Sequence, residues 1–300
     1  MKIAVTGAFS YSGKYITRRL LERGEEVITL TGHPNRPDPF EGRVKAYPLD
    51  FNEASMTHSL QGVEVLVNTY WVRFDKDQNT QPRAVENTRK LVNAARAAGV
   101  RRMVHISITN PSAESHLPYF CGKAANEKAV IDSGMGYAIL RPTVLVGVED
   151  ILINNIAYLL RRFPLFLLPG DGSYRLQPVH VEDVAALAVE GVYSQDNYIV
   201  DAVGPDIFTF KEMVQLIGQK IGANRLLIPI PPRLALLAAQ FISIFVRDVV
   251  LTPEEVDGLM AGLLVSKDPP LGGIRLADWL EENKDKVGKE YASELRRHFS

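Results

Sequence analysis

Apolar residues follow two different periods in the first half of the chain. Short β-branched runs predict strands, and longer segments with apolar residues three or four positions apart predict helices. The predicted strands are residues 3–6, 27–31, 44–49, 65–69, 103–108 and 136–141, and the predicted helices are 13–23, 53–60, 81–98 and 118–134. This regular alternation predicts an α/β fold built on a doubly wound parallel sheet of the Rossmann type.

The pattern changes after Gly147. The sequence predicts a helix over 150–163 and then a loop that contains Pro164, Pro169, Gly170 and Gly172. A strand over 179–181 and a helix over 182–193 are expected to return to the sheet, and the remainder is expected to be mostly helical.

One boundary in this second half has a clear signal. Thr252 and Glu255 form a predicted capping box, with Pro253 at the first helical position. We therefore expect a Rossmann domain over 1–147, joined again by 178–203, and a smaller, mostly helical lobe over 148–300.

Composition narrows the classes of function. Hydrophobic residues make up 46% of the chain and the formal net charge is −1, which excludes a basic surface for nucleic acid. The single cysteine, Cys121, and the lack of a signal-peptide pattern at the amino terminus favour a cytoplasmic protein. The six histidines show no ligand-like spacing, so no metal site is expected.

The most apolar run, 234–246, lies between Arg233 and Arg247. It is shorter than the roughly 20 residues that a transmembrane helix needs. A buried helix is the favoured interpretation, and the alternative is an interfacial helix or partner face, which leaves peripheral membrane contact open.

The first strand runs directly into a glycine-containing loop. Gly7 permits a sharp turn, and Gly13 lets the next helix begin close to the sheet with its N–H groups facing a pyrophosphate. Ser10 stands where a middle glycine is usual. The sequence therefore predicts a dinucleotide site in this loop, to which Phe9 and Tyr11 also contribute. The 148–300 lobe is expected to bind the substrate.

The second and third predicted strands bear on which dinucleotide binds. NAD-specific sites usually carry an acidic residue after the second strand, and none occurs here before Asp38. Arg36 and His33 are suited to a 2′-phosphate, so we expect NADP(H) rather than NAD. The residues expected to flank the adenine are Asp50 and Phe51.

A YxxxK motif places Tyr119 and Lys123 one turn apart at the start of the helix that follows the fifth strand. The ammonium group favours the phenolate and brings the phenol pKa towards neutrality, so Tyr119 is a candidate general acid/base. Lys123 is also expected to bind the nicotinamide ribose. Thr109 is the candidate that orients the substrate oxygen, and Ser107 is the reserve, expected beneath the cofactor.

These features resemble the extended and atypical branches of the short-chain dehydrogenase/reductase superfamily, including the group of the Rossmann-type accessory subunit of respiratory complex I. The matching motifs are TGAFSYSG at 6–13, LDF at 49–51, VHISIT at 104–109, YFCGK at 119–123, LRPTVLVG at 140–147 and PVHVEDVA at 178–185.

The resemblance implies a Ser/Thr–Tyr–Lys constellation that acts on a C–OH or C=O group of a small molecule beside the nicotinamide. It implies that Pro142 and Val144 line the nicotinamide pocket and that Asn68 and Thr69 follow the fourth strand at the cofactor. Tyr70 and Trp71 either form a wall of the substrate cleft or pack against a loop. Family habit also suggests a homodimer through helices 81–98 and 118–133.

Two hypotheses follow. The first is an NADP(H)-dependent oxidoreductase, or a hydride-mediated epimerase or dehydratase, that uses Thr109, Tyr119 and Lys123. The second is a non-catalytic NADPH-binding sensor or scaffold subunit that docks through its apolar C-terminal half. The irregular glycine loop and the apolar 234–246 run support the second hypothesis.

Overall fold

A computed structural model describes residues 1–33, 36–249 and 251–295, without the side chains of Ile244 and Phe245. The strands of the described chain are β1 (Lys2–Thr6), β2 (Glu26–Thr31), β3 (Lys45–Pro48), β4 (Val65–Asn68), β5 (Arg102–Ile106), β6 (Gly136–Pro142), β7 (Leu145–Val146), β8 (Leu165–Pro169), β9 (Arg175–Leu176), β10 (Val179–His180), β11 (Tyr198–Ala202), β12 (Phe208–Thr209) and β13 (Leu226–Ile230).

The helices are α1 (Tyr11–Glu22), α2 (Glu53–Ser59), α3 (Gln81–Ala97), α4 (Pro118–Asp132), α5 (Leu152–Arg162), α6 (Val181–Tyr193), α7 (Phe210–Lys220), α8 (Pro232–Val246), α9 (Pro253–Met260) and α10 (Leu276–Asn283). The chain divides into two compact units. The first comprises 1–142 and 181–202, and the second comprises 143–180 and 203–300.

The first unit contains a seven-stranded sheet in the order β11-β6-β5-β4-β1-β2-β3, and every neighbouring pair is parallel. This confirms the predicted doubly wound α/β fold. The strand order reverses direction between β1 and β4, which is where parallel sheets of this kind bind ligands beyond their carboxyl ends. Gly7, which follows β1, and Asn68, which ends β4, lie at that edge.

Burial explains why the inner strands lack a polar face. Ala4, Leu66, Met103 and Ile139, from four adjacent strands, belong to one apolar cluster with residues of α2, α3 and α4. A parallel sheet covered by helices on both faces has apolar residues on both sides of each strand.

The second unit has its own apolar core around α5, α7 and α10, in which Ile153, Met213 and Leu280 are completely buried. The predicted capping box at Thr252 and Glu255 is confirmed at the start of α9. A second capping box, formed by Thr209 and Glu212, begins α7.

Two predictions about this part of the chain are wrong. The expected Pro- and Gly-rich loop contains β8, which pairs in parallel with β13 and places Phe166 and Leu168 in the core. Pro169 and Pro229 lie within this two-stranded ladder and obscured it in the sequence.

The strand predicted over 179–181 does not join the large sheet. It forms β10, which pairs with β7 in a separate two-stranded sheet. The chain returns to the large sheet as β11, which pairs with β6; it lies within the 178–203 segment that was expected to rejoin the sheet, although no strand was predicted over 198–202.

Helix α8 covers the apolar 234–246 run. It is not the buried helix that was favoured, because Leu234, Leu237 and Phe241 are 52%, 59% and 63% exposed. Across the described part of the chain, no helix combines the length and apolar character needed to cross a membrane.

Candidate functional site

The loop after β1 is shaped by two close backbone contacts. Gly7 has a positive φ of 64°, and its N–H donates to the Leu30 carbonyl of β2 at 2.9 Å. The Ser10 N–H then donates back to the Gly7 carbonyl at 2.8 Å. This turn brings the chain round so that α1 begins at the carboxyl end of the sheet.

Gly13 is the residue that lets α1 pack against this turn. A Cβ atom at Gly13 would lie 2.1 Å from the Gly7 carbonyl oxygen, closer than any real contact. Only glycine therefore fits here, and the first turn of α1 lies directly against the loop. The positive end of the helix dipole at this point suits a pyrophosphate.

Ser10 stands at the N-cap of α1, but its side chain makes no capping hydrogen bond. Its hydroxyl instead donates to the Gly7 carbonyl at 2.5 Å. The side chain is thus held inside the loop, which explains how serine can replace the usual middle glycine. Nearby, Phe9 packs against Phe40 and Tyr11 against Tyr15, at centroid distances of 6.3 and 5.9 Å.

The loop after β2 carries the candidate 2′-phosphate ligands. The His33 N–H donates to the Thr31 hydroxyl at 3.0 Å, and the Arg36 N–H donates to the His33 carbonyl at 3.2 Å. Both candidate side chains are half-buried. The Asp38 carboxylate accepts from the N–H groups of Phe40 and Gly42 at 2.7 and 2.8 Å, so it serves to fold the loop.

Of the two candidates to flank the adenine, Asp50 bonds the chain backbone and Phe51 packs against another aromatic ring. Asp50 is exposed and accepts a hydrogen bond from the Asn52 N–H at 3.0 Å. Phe51 has a positive φ of 55°, and its ring lies 4.8 Å from that of Tyr70. The Tyr70 hydroxyl in turn accepts from Asn87 at 3.0 Å, which fixes the aromatic pair at the sheet edge.

Asn68 is completely buried at the end of β4 and joins three neighbouring strands. It accepts from the Thr6 hydroxyl at 3.0 Å, and its amide nitrogen lies 3.1 Å from His105 Nδ1. Thr69 donates from its hydroxyl to the Thr6 carbonyl at 2.6 Å. These bonds give Asn68 a structural role, and its assignment as a cofactor contact stays a prediction that its burial does not favour.

His105 was not singled out in the sequence. It is completely buried, and burial lowers its pKa to about 3, with nearby Lys123 acting in the same direction. The imidazole is therefore neutral at physiological pH.

Tyr119 and Lys123 lie together in the first turns of α4. Lys123 is only 3% exposed, and its ammonium group donates to the Ile106 carbonyl at the end of β5 at 3.0 Å. Burial lowers its pKa to about 7, against an opposing contribution from Glu127. Lys123 Nζ lies 6.0 Å from the centroid of the half-buried Tyr119 ring, so the two candidate groups are neighbours.

Trp71, from the segment after β4, covers this pair. Its indole meets the Tyr119 ring edge-on at 5.6 Å and 83°, and Lys123 Nζ lies 4.9 Å from its centroid. Gly122 makes room for it, since a Cβ atom there would lie 2.6 Å from the indole. Trp71 therefore packs directly on the candidate chemical groups.

The two candidates for a third group are both engaged elsewhere. The Thr109 hydroxyl donates to the Arg141 carbonyl at 2.9 Å, and the residue is completely buried. The Ser107 hydroxyl donates to the carboxylate of buried Glu127. The geometry therefore does not favour either hydroxyl as the group that orients a substrate oxygen, and that role of Thr109 stays a prediction.

Glu127 also forms a two-point ion pair with Arg141 of β6, at 2.9 and 2.6 Å. Sequence reasoning missed this pair, although Glu127 lies one turn beyond Lys123 on the same helix face. The ion pair ties α4 to the sheet directly behind the Tyr–Lys pair.

The two residues expected to line the nicotinamide pocket lie in different units. Pro142 is buried at the end of β6, in the first unit. Val144 belongs to the second unit, where it is half-buried against the core.

The first unit thus joins a glycine turn, a helix amino terminus and a Tyr–Lys pair at one sheet edge. A family model described as NAD(P)H-binding matches residues 7–192. The chain belongs to this NAD(P)H-binding family. The predicted resemblance to the extended short-chain dehydrogenase/reductase branch and to the complex I subunit group is confirmed by this match and by the relatives described next.

Among the relatives of this family member is the mitochondrial NADH dehydrogenase [ubiquinone] 1 alpha subcomplex subunit 9 of Arabidopsis thaliana. It is 25% identical over 232 residues, which cover 72% of this chain and 57% of the subunit. Another is the 2-alkyl-3-oxoalkanoate reductase of Stenotrophomonas maltophilia, 24% identical over 262 residues, with 75% of this chain and 77% of the reductase covered. The chain thus spans little more than half the length of the plant subunit.

Solved structures support the fold. The NADPH-dependent quinone oxidoreductase QOR2 of Escherichia coli, solved with NADPH, superposes with a TM-score of 0.74 at 21% identity. The match covers 93% of this chain and 99% of that one. Reductases and a subunit of NADH dehydrogenase therefore occur among the proteins similar to this family member.

Proposed function

We propose that this protein is an NADP(H)-dependent oxidoreductase, or a hydride-mediated epimerase or dehydratase, that acts on a C–OH or C=O group of a small molecule. The observation that carries the proposal is the position of buried Lys123, whose Nζ donates to the Ile106 carbonyl at the end of β5 and lies 6.0 Å from the centroid of the Tyr119 ring. Members of the family bind NAD(P)H, which carries the hydride, and the Tyr–Lys pair would transfer the proton.

The dinucleotide, when bound, supplies or accepts the hydride at the reacting carbon. In the reductive direction the Tyr119 hydroxyl gives its proton to the carbonyl oxygen, which becomes the alcohol. A phenol with an ordinary pKa of about 10 is a weak acid at neutral pH, so this step needs a nearby positive charge.

Lys123 is placed to provide that charge. Because burial lowers its pKa to about 7, it exchanges its proton readily near neutral pH. A phenolate forming on Tyr119 favours the protonated amine, since opposite charges attract strongly where water is excluded. Lys123 thus stabilises the charge that develops on Tyr119 as the proton leaves.

The residues that would hold the dinucleotide follow the same sheet edge. The turn at Gly7 and the packing of Gly13 present the amino terminus of α1 to the pyrophosphate. We infer that Arg36 selects NADPH over NADH, because a guanidinium group suits a 2′-phosphate and the Asp38 carboxylate is hydrogen-bonded to the loop backbone. The NADPH bound to the quinone oxidoreductase QOR2 supports the same choice.

A second function is favoured by one specific observation. The Ser107 and Thr109 hydroxyls both bond within the protein, so the usual third member of the constellation is not presented to a substrate. The similar plant protein is a subunit of NADH dehydrogenase. The alternative is therefore a non-catalytic NADPH-binding subunit or sensor.

The test follows NADPH oxidation with aldehydes, ketones and quinones after mass spectrometry identifies the nucleotide that co-purifies. Turnover with one carbonyl class supports the oxidoreductase. Tight NADPH binding without turnover on any class supports the non-catalytic subunit, and failure to bind either dinucleotide contradicts both functions.

A further inference from the structure

Helix α8 presents large apolar side chains to solvent. Leu234, Leu237 and Phe241 are each more than half exposed, whereas Ala235 and Ala239 on the opposite side are at most 6% exposed. The small alanines thus face the protein, and the large residues face away from it. This is the reverse of the usual distribution on a surface helix.

The charged residues in the stretch of sequence that contains this helix are all positive. Residues 213–247 contain no Asp or Glu, in a chain that has 35 of them in 300 residues. The same stretch contains four cations, Lys220, Arg225, Arg233 and Arg247. Lys220 pairs with Glu281 at 3.1 Å and Arg225 Nε donates to the Leu160 carbonyl at 2.7 Å, so Arg233 and Arg247 are the cations that flank α8.

The exposed cations lie next to the exposed apolar residues. Arg233, Leu237 and Phe241 are spaced four apart, which places them along one face of the helix. Arg247 follows the last turn and is also exposed. The exposed face of α8 therefore combines an apolar stripe with a cation at each end.

We propose that the exposed face of α8 docks onto the surface of an anionic lipid bilayer. Phe241, Leu237 and Leu234 insert among the acyl chains near the headgroups, and Arg233 and Arg247 contact lipid phosphates. The 15-residue helix lies in the plane of the interface, which agrees with its being too short to cross a bilayer.

The charge pattern favours a bilayer over the other occupants. A second copy of this chain packed on the same face would bring Arg233 and Arg247 near cations of its own α8. Asp248, the next residue after Arg247, is buried and accepts from the Glu294 and Leu295 N–H groups, so it does not present an acid to them. An anionic lipid surface neutralises both cations and accepts the apolar stripe without requiring shape complementarity.

The experiment is co-sedimentation of the full chain with vesicles of phosphatidylcholine alone or with one quarter phosphatidylglycerol. We expect pelleting with the anionic vesicles and at least tenfold less with the neutral ones. The double variant L237E/F241E should lose binding. The matched control I207E/L271E, which adds the same charges at residues 39% and 47% exposed, should retain it.

A second variant, R233Q/R247Q, keeps the apolar stripe and removes the charge. At about 1 kcal/mol per cation near an anionic surface, its affinity for those vesicles should fall about 30-fold. The proposal is overturned if the native chain does not pellet with anionic vesicles, or if both variants bind them like the native chain. It is also overturned if light scattering shows a dimer that L237E/F241E dissociates, because the face then belongs to a second copy.

Discussion

The Lys123 ammonium group lies 4.9 Å from the centroid of the Trp71 ring, while it donates to the Ile106 carbonyl at 3.0 Å. The indole thus covers one side of a charged group that the sheet edge holds on the other. A buried cation loses the stabilisation that hydrating water provides, and attraction to the face of an aromatic ring replaces part of it. This contact links the segment after β4 to the pair in α4.

Replacing Trp71 by alanine should change the titration of Lys123 as well as stability. Without the indole, water reaches the amine, so its pKa rises from about 7 towards its ordinary value and the pH–rate profile shifts upward. We expect unfolding free energy to fall by about 2 kcal/mol, as for a partly buried aromatic residue. Trp71→Phe should restore most of both properties. A profile that W71A leaves unmoved would argue that Trp71 only fills space.

Buried Lys123 should make the protein less stable at low pH. Its pKa is about 7 in the folded protein and 10.5 ordinarily, so the unfolded chain binds one more proton between these values. Stability from this group therefore rises with pH across that window.

Lys123→Met removes this dependence. The variant should be more stable than the native chain by on the order of 2 kcal/mol at pH 6, and the gain should shrink at pH 9.5. Urea unfolding at both pH values measures it. Lys128→Met is the control on the same helix, because Lys128 is 77% exposed. An equal gain at both pH values would contradict a depressed Lys123 pKa.

Gly13→Ala should abolish dinucleotide binding. The added Cβ would overlap the Gly7 carbonyl oxygen at 2.1 Å, so α1 must move away from the loop. We expect the Kd for NADPH to rise about 100-fold or more, with about 3 kcal/mol lost in stability. Gly273→Ala, where nothing lies within 4 Å, is the matched control and should bind normally. Native affinity in G13A would exclude this loop as the phosphate site.

Arg36→Ala tests the choice between dinucleotides. Losing one charge-assisted hydrogen bond should raise the Kd for NADPH about tenfold and leave that for NADH nearly unchanged. Arg43→Ala, which removes a nearby exposed arginine bound to the Phe40 carbonyl, should alter neither value. Equal losses for both dinucleotides would place Arg36 away from the 2′-phosphate.

The period of apolar residues was sufficient to predict the inner strands and the Tyr–Lys helix, because parallel strands buried on both faces leave a strong local signal. Strands β8 and β13 were not predicted, because each contains a proline, Pro169 at the end of β8 and Pro229 within β13, and proline is uncommon in strands. Their pairing joins residues about 60 positions apart and has no local pattern.

The candidate site was predictable to a similar extent. Motif spacing brought out Gly7, Gly13, Tyr119 and Lys123, since each obeys a local backbone or helix rule. The placement of Trp71 over Lys123, and the burial of the Thr109 hydroxyl, depend on contacts between distant segments. Such contacts follow from packing, which no single-sequence pattern encodes.

The central claim is that Tyr119 moves the proton while other residues hold the dinucleotide. The most direct measurement compares Tyr119→Phe with the native chain in NADPH binding and in turnover. The substrate is taken from whichever class of carbonyl compound the native chain reduces. We predict an unchanged Kd and a kcat/KM lower by about 1,000-fold, with Tyr137→Phe as the matched control near native activity. Turnover of Y119F within a few-fold of the native rate would contradict the claim.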